Sequence, residues 1–380
     1  MSIADDPESS RPEPPKWARA VVVLILLYLF LAGVSALSEG IESMGSGFQE
    51  GLFSSVSNPL AGLFVGILAT VLVQSSSVTT STVVGLVGTG LLGVNDAIPV
   101  IMGANIGTTV TNTLVSLAHV RHSQEFRRAL ASATVHDFFN VIAVTVLLPV
   151  ELTTRVLSRS AEALTRNLVG SGGTTYKSPI KEAVKTPVKW VTDLYEGLGL
   201  SGNVLGTVLV ITGLLAILLA LAFITGNMRK LVADRVERSV NAVLSQGGGV
   251  VAMVIGLIIT IAVQSSSITT SMLIPVAASG AITLENVYPV TLGANVGTTV
   301  TALLASLATG RPEALTVALV HTIFNVSGII LLYPFPPARR IPLRLARGLA
   351  DLAVQRRSIA VAYVVGAFIV IPALGVAVLR

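Results

Sequence analysis

The sequence predicts an all-α polytopic membrane protein: an inverted-topology repeat with two re-entrant helical hairpins and two broken transmembrane helices. Three observations predict it. Only 12% of the 380 residues are charged and 52% are hydrophobic, whereas a soluble domain carries about 25% charged residues. Apolar stretches recur at the length needed to cross a bilayer of roughly 30 Å. The pattern of the first half also returns in the second at a fixed offset, polar interruptions included.

Residues 1–16 are polar and Pro-containing, and are expected to form a disordered cytoplasmic tail. Residues 17–37 form the first span. They are longer than a signal-peptide core and rich in Leu, Tyr and Phe, so they read as an uncleaved anchor. Residues 38–58 hold Glu39, Glu42 and Glu50 among Gly and Ser, too polar to span. The stretch 60–92 is apolar at both ends and interrupted by Gln74-Ser75-Ser76-Ser77. Each arm has about 14 residues, roughly 20 Å of helix. That predicts a re-entrant hairpin, whose tip must lie inside protein or at a wet cavity.

Residues 97–118 are of span length but contain Gly103-Ala104-Asn105-Ile106-Gly107-Thr108-Thr109, and the two glycines around an Asn predict a broken helix. Residues 129–150 form a span carrying His136, Asp137 and Asn140 and complete repeat 1, residues 60–150. A long polar loop, 151–203, is expected outside the cell, followed by a span over 204–226 and a basic stretch, 228–238. Repeat 2 covers 251–334. It has a hairpin with Gln264-Ser265-Ser266-Ser267 at its tip, and a broken span, 288–308, with Gly293-Ala294-Asn295-Val296-Gly297-Thr298-Thr299. Its last span, 314–334, carries His321 and Asn325. Residues 335–357 read as a basic amphipathic segment on the membrane surface. Residues 358–379 form the last span.

Residues 74–81 and 264–271 differ only at Val78 versus Ile268, and 103–111 and 293–301 only at Ile106 versus Val296. Both pairs are offset by 190 residues. Basic residues set the orientation. With the amino terminus inside, Arg121, Arg127 and Arg128 fall inside, as do Arg229, Lys230 and the six arginines of 335–357. Three full crossings then separate the hairpins, so the first enters from outside and the second from inside, as in many secondary transporters.

A Gln-Ser-Ser-Ser tip offers helix-start N–H groups and hydroxyls to an anion, and freed carbonyls and amide oxygens to a hard cation such as sodium. No Arg or Lys lies in the four motif elements, so co-bound sodium would balance an anion there and couple the two ligands. One Ser-rich patch alone reads as helix-packing glue. Two copies at fixed spacing, each followed by Gly-Ala-Asn, read as a ligand site. Asp137 is the one acid well inside a full span and shares a helix face with Asn140; a cation site is its expected role. His136 and His321 are expected to hydrogen-bond between helices. Asp96 and Glu285 are expected to cap helix starts, Gly247 to Gly249 to form a hinge, and Pro275 to make the two gates unequal.

Absence of cysteine excludes disulfides and thiol chemistry, and the four histidines lack zinc-ligand spacing. The net charge of +5 lies mostly in loops beside spans, so no nucleic-acid partner is expected. No nucleophile–base pair supports an enzyme.

At these residues the chain resembles the type II sodium-dependent phosphate cotransporter family. The resemblance rests on the paired Gln-Ser-Ser-Ser tips and on residues 103–113. It continues through Phe126-Arg127-Arg128-Ala129, Ala133 to Asp137 with Phe139-Asn140, and Leu147-Leu148-Pro149. It implies sodium-driven import of inorganic phosphate across the plasma membrane, with Na+ as coupling ion, no organic cofactor, the lipid bilayer as surroundings and a homodimer as an allowed assembly. It implies phosphate ligands Gln74, Ser75, Ser76, Ser77, Gln264, Ser265, Ser266, Ser267, Asn105 and Asn295. For sodium it implies Asp137, Asn140, Thr108, Thr109, Thr298 and Thr299, together with Gln74 and Gln264. Family members that move net charge carry an Asp in the His-Asp-x-Phe-Asn element, so Asp137 implies an electrogenic cycle. The long loop departs from animal members in lacking cysteines. The competing readings are a sodium-coupled symporter of another oxyanion or a dicarboxylate, and an anion channel.

Overall fold

The computed structural model describes residues 15–44, 58–169, 179–246 and 248–379. The expected tail up to residue 14, the region of Glu50, the centre of the 151–203 stretch and Gly247 of the expected hinge lie outside the described residues. Every regular element among the described residues is helical. The first copy follows α1 (Lys16–Ser43) and contains α2 (Pro59–Val73), α3 (Ser76–Thr89), α4 (Val94–Gly107), α5 (Val110–Ser116) and α6 (Ser123–Thr154). Helices α7 (Val156–Val169), α8 (Pro179–Gly197) and α9 (Gly202–Gln246) lead to the second copy. That copy contains α10 (Gly249–Val263), α11 (Ser266–Ser271), α12 (Leu273–Ser279), α13 (Leu284–Thr309) and α14 (Pro312–Leu332). Helix α15 (Pro336–Gln355) follows, and α16 (Ser358–Val365) and α17 (Ile371–Leu379) close the chain through one π turn.

Among the described residues six helices are long and apolar enough to cross a membrane: α1, α6, the Gly202–Met228 part of α9, α13, α14 and the joined Ser358–Leu379. The seventh expected span, 97–118, is divided between α4 and α5, and neither piece reaches that length. Burial sorts the six. The apolar window of α13 is 72% buried, against 33% for α1 and α9 and 22% for Ser358–Leu379. Helix α13 therefore forms the centre, and the other three present most of their surface to the surroundings.

Short capping signals fix the hairpins. Asn58 accepts from Leu60 N–H at 2.9 Å and Pro59 opens α2. Gln74 then turns the chain in the left-handed region at φ 57°, and Ser75 Oγ accepts from Val78 N–H at 3.3 Å to start α3. The second copy repeats both steps, with Gln264 at φ 57° and Ser265 Oγ accepting from Ile268 N–H at 3.3 Å. The two tips thus fold alike because their turn and capping residues are alike.

Four expectations change. The break predicted at 293–299 is absent, because α13 runs unbroken from Leu284 to Thr309. The motif glycines serve close approach instead. A side chain at Gly293 would strike the Met253 carbonyl, and one at Gly103 the Leu63 carbonyl, so each hairpin's first arm lies backbone to backbone against the following helix. The second copy is interrupted in its hairpin, at Met272 between α11 and α12. Pro275 supplies the cause, since it has no N–H to donate to the Ser271 carbonyl. Second, the expected 151–203 loop folds at both ends, as α7 and α8. The Glu151 carboxylate accepts from Leu157 N–H at 2.7 Å and Ser158 N–H at 3.2 Å, capping α7.

Third, Asp96 and Glu285 sit within the first turns of α4 and α13, whose N-caps are Gly93 and Thr283. Glu285 pairs instead with Arg347. Fourth, the apolar face of α15 packs onto protein: Leu343, Ala346, Ala350 and Ala353 meet Phe126, Leu130 and Val135 of α6. Arg127 fastens this contact by donating to Asp351, and that hydrogen bond holds the Asp351 carboxyl below the usual carboxylate range.

Gly103→Val is expected to destabilise the protein by about 1–3 kcal/mol through overpacking. Gly348→Ala, where an added Cβ meets nothing within 4 Å, should not. Thermal melting of the two purified variants in one detergent checks this, and equal melting temperatures would refute the close-packed seam.

Candidate functional site

Both polar tips open onto one cavity of about 380 Å³. Its wall holds Gln74, Ser75, Ser76 and Ser77 from the first copy and Gln264, Ser265, Ser266 and Ser267 from the second. Helix α9 closes one side with Leu218, Leu221, Ala222 and Thr225. None of the lining residues is charged. The N–H groups of Ser76 and Ser77, at the start of α3, have no intrahelical carbonyl to bond, and the same holds for Ser266 and Ser267. The cavity is thus lined by hydroxyls, amides and free backbone donors.

Each glutamine pins its tip to the helix that follows in the same copy. Gln74 Nε2 donates to the Val71 carbonyl at 2.6 Å, and its Oε1 accepts from Thr111 at 3.1 Å. Gln264 Nε2 donates to the Ile261 carbonyl at 2.6 Å, and its Oε1 accepts from Thr301 at 2.9 Å. The partner threonines lie 37 residues downstream in both copies. Thr111 and Thr301 were not singled out in the sequence, although both fall inside the duplicated motif.

The motif asparagines lie elsewhere. Asn105 and Asn295 are absent from the cavity wall and sit in a buried amide network joining α4, α6, α13 and α14. Asn295 Nδ2 donates to Asn140 Oδ1 and to Asn325 Oδ1, both at 2.8 Å. Asn105 Nδ2 donates to Asn325 Oδ1 at 2.9 Å, and Asn140 Nδ2 to the Asn105 carbonyl at 2.9 Å. His321 Nε2 donates to Asn105 Oδ1 at 3.0 Å, the interhelical bond expected of it. His136 is buried beside Asn295, yet neither ring nitrogen has a partner of good geometry.

Thr108, Thr109, Thr298 and Thr299 are all buried, and their hydroxyls donate to the carbonyls of Ala104, Ile106, Ala294 and Val296 at 2.8–3.2 Å. A threonine whose proton is engaged this way keeps its oxygen lone pairs for a cation. Asp137 is fully buried and off the cavity wall. Its Oδ2 accepts from Tyr363 at 3.0 Å, Oδ1 has no partner of good geometry, and Thr109 and Thr113 lie beside the carboxyl group. Tyr363 escaped the sequence reading. Its signal is that a lone polar-tipped aromatic stands within an apolar last span, about one and a half turns from its start.

Contacts also cross between copies. Asn112 Nδ2 donates to Thr270 at 2.7 Å, and Asn112 Oδ1 accepts from Ser271 at 2.8 Å. Ser267 Oγ donates to the Thr108 carbonyl at 3.4 Å, just where α4 gives way to α5.

The family sequence model described as Na+/Pi-cotransporter matches residues 29–172 and 216–346, one segment for each copy. The chain belongs to the Na+/Pi-cotransporter family. Among relatives, the sodium-dependent phosphate transport protein 2B of Homo sapiens is 35% identical over 93% of this chain and 64% of its own length. The 2B protein of Bos taurus is 35% identical over 93% of this chain and 64% of its own. The sodium-dependent phosphate transport protein 2A of Rattus norvegicus is 33% identical over 97% of this chain and 70% of its own. The chain therefore spans about two thirds of the length of these Na+/Pi-cotransporter relatives. No solved structure matches it.

Asn295→Ala removes the amide shared by Asn140 and Asn325 and leaves the buried Asn140 Oδ1 unpaired, at roughly 1–3 kcal/mol, while Asn325 Oδ1 keeps its bond from Asn105. The expected outcome is a lower melting temperature than that of Val326→Ala, a change at a side chain 40% exposed. Matching melting curves would show that the network contributes nothing to stability.

Proposed function

We propose that this chain is a sodium-coupled symporter that imports inorganic phosphate by alternating access around the cavity between the two tips. The carrying observation is that two Gln-Ser-Ser-Ser tips, 190 residues apart in sequence, line one cavity without a charged side chain. Phosphate is a multivalent oxygen acceptor, and the serine hydroxyls with the free N–H groups of the tips are its donors. With no guanidinium or ammonium on the wall, sodium bound nearby supplies the counter-charge. Each ligand then raises the affinity for the other, which is coupling.

Two places fit sodium. At the tips, helices α2 and α10 end with their carbonyls, and the oxygens of Gln74 and Gln264 lie next to them. Asp137 forms the other, with an unpartnered carboxylate oxygen and with Thr109 and Thr113 beside the carboxyl group. A sodium ion held there adds positive charge to what is carried and makes the cycle electrogenic, and with Thr322 at the equivalent position the second copy has no matching carboxylate. In this reading Asn105, Asn140 and Asn295 hold the helices that carry these ligands. The coupling ion is sodium alone, without an organic cofactor.

The inverted topology has its own support. A side chain at Gly88, near the base of the first hairpin, would strike Thr309 at the end of α13. The base of the second hairpin, Gly280, leads directly into the start of α13 at Leu284. Helix α13 has 26 residues, about 39 Å of rise. Hairpin bases at opposite ends of one spanning helix enter from opposite sides. We place the amino terminus in the cytoplasm and the protein in the plasma membrane, from the arginines of α15 and the basic ends of α1 and α6.

The deciding experiment is uptake of labelled phosphate by proteoliposomes containing only this protein. An inward sodium gradient is expected to drive accumulation above equilibrium, with sulfate and succinate competing poorly. Uptake indifferent to sodium would sink the proposal, and uptake that only equilibrates would favour a channel. Ser76→Ala and Ser266→Ala should each raise the KM for phosphate about tenfold or more. Asp137→Thr should keep phosphate uptake while lowering the current per phosphate; an unchanged ratio would remove Asp137 from the cation site. Because the chain has no cysteine, Thr89→Cys and Ser279→Cys can be labelled singly. Opposite sidedness to an impermeant maleimide is expected, and same-side labelling would refute the inversion.

A further inference from the structure

A second cavity, of about 580 Å³, lies apart from the tips and shares no residue with theirs. Arg339, Arg340, Arg344 and Arg347 of α15 line it with Tyr288 of α13 and Tyr333. Glu285, also on the wall, pairs with Arg347. Among the described residues the other three arginines have no carboxylate partner. The Arg339 guanidinium stands over the Tyr333 ring at 5.4 Å, held in place by a cation–π contact. Tyr288 is 1% exposed and its hydroxyl has no hydrogen-bond partner. Three unmatched guanidinium groups and one idle buried donor on a common wall make a site built for an anion.

We propose that this cavity binds a phosphate-bearing anion, either an anionic lipid headgroup or a free polyphosphate. Arg339, Arg340 and Arg344 are its guanidinium ligands and the Tyr288 hydroxyl an added donor. Guanidinium forks match phosphate oxygens in pairs, which favours phosphate over a monovalent inorganic anion. The cavity is larger than a single phosphate and leaves room for the rest of a lipid headgroup or for a second phosphate. On the lipid side, Ile341 and Leu345 of the same helix are 45% and 43% exposed beside the arginines, where acyl chains can lie. The cytoplasmic placement of the cavity rests on the proposed orientation; the binding claim does not.

The test uses the whole protein in two kinds of nanodisc. In the first, made of phosphatidylcholine alone, pyrophosphate is titrated by calorimetry in sodium-free buffer. In the second, containing phosphatidylglycerol, lipid retained on the protein is counted by native mass spectrometry. Saturable binding in at least one arm is expected, and the arm that responds names the source. Arg340→Gln with Arg344→Gln should weaken it about tenfold, and the double lysine variant should recover part of the loss. Tyr288→Phe, which removes a single oxygen, should weaken it severalfold in a protein that melts like the parent. Ser76→Ala should leave it unchanged while impairing uptake, so failure here and failure of the transport reading are separate results. No saturable binding in either arm, or binding that ignores both the glutamine pair and Tyr288→Phe, overturns the proposal.

Discussion

Asn295 donates its two amide protons to Asn140 in the first copy and Asn325 in the second, and the two halves of the molecule are built around that junction. Polar groups buried at this depth have no water to fall back on, so each must find a partner within the protein. Four asparagine amides and the Nε2 of His321 hydrogen-bond one another across α4, α6, α13 and α14 without a net charge. An uncharged network can sit in the centre of a membrane protein where an ion pair would carry a heavy desolvation penalty. It also fixes the helices that support the tips, so that the serines of both copies converge on one space.

On that frame the copies are alike at the tips and glycine seams and differ, among others, at three positions. The glutamine-to-threonine ties and the glycine contacts recur residue for residue. Asp137 faces Thr322 as its counterpart, Asn112 faces Ala302, and Pro275 faces Gly85. Each difference has a local result. A buried carboxylate occurs in one copy only. A bridging amide reaches from α5 to α11, and the second arm of one hairpin is split where the other is continuous. The two hairpins therefore share an outline but differ in continuity and in the charge buried beside them.

Much of this was legible in the sequence, for physical reasons. Duplication at a fixed offset revealed the tips, because the same cap and turn chemistry folds the same way twice. Helix lengths followed from apolar runs interrupted by Gln-Ser-Ser-Ser. What escaped depended on partners distant along the chain. A glycine next to an asparagine looks alike whether it breaks a helix or admits a neighbouring backbone, and only the carbonyl of Met253 against Gly293 distinguishes the two. Asn105 and Asn295 share a motif and a helix face with the threonines, and only their partners on other helices, Asn140, His321 and Asn325, reveal the buried amide network they join. Tyr363 reaches Asp137 from 226 residues away. Helices α7 and α8 are polar on one face, so composition alone read them as loop.

The seam between α2 and α4, and its twin between α10 and α13, leaves no room for a side chain between the facing backbones. Surfaces fitted that closely cannot slide without lifting apart. In the proposed change of access, each hairpin's first arm and the following helix would therefore travel as a single rigid blade. The bearing surface has to be sought where larger, softer side chains face the tips. Leu218, Leu221 and Ala222 of α9, with α1 packed behind it, are such a surface and would be where a blade slides in the proposed transport cycle.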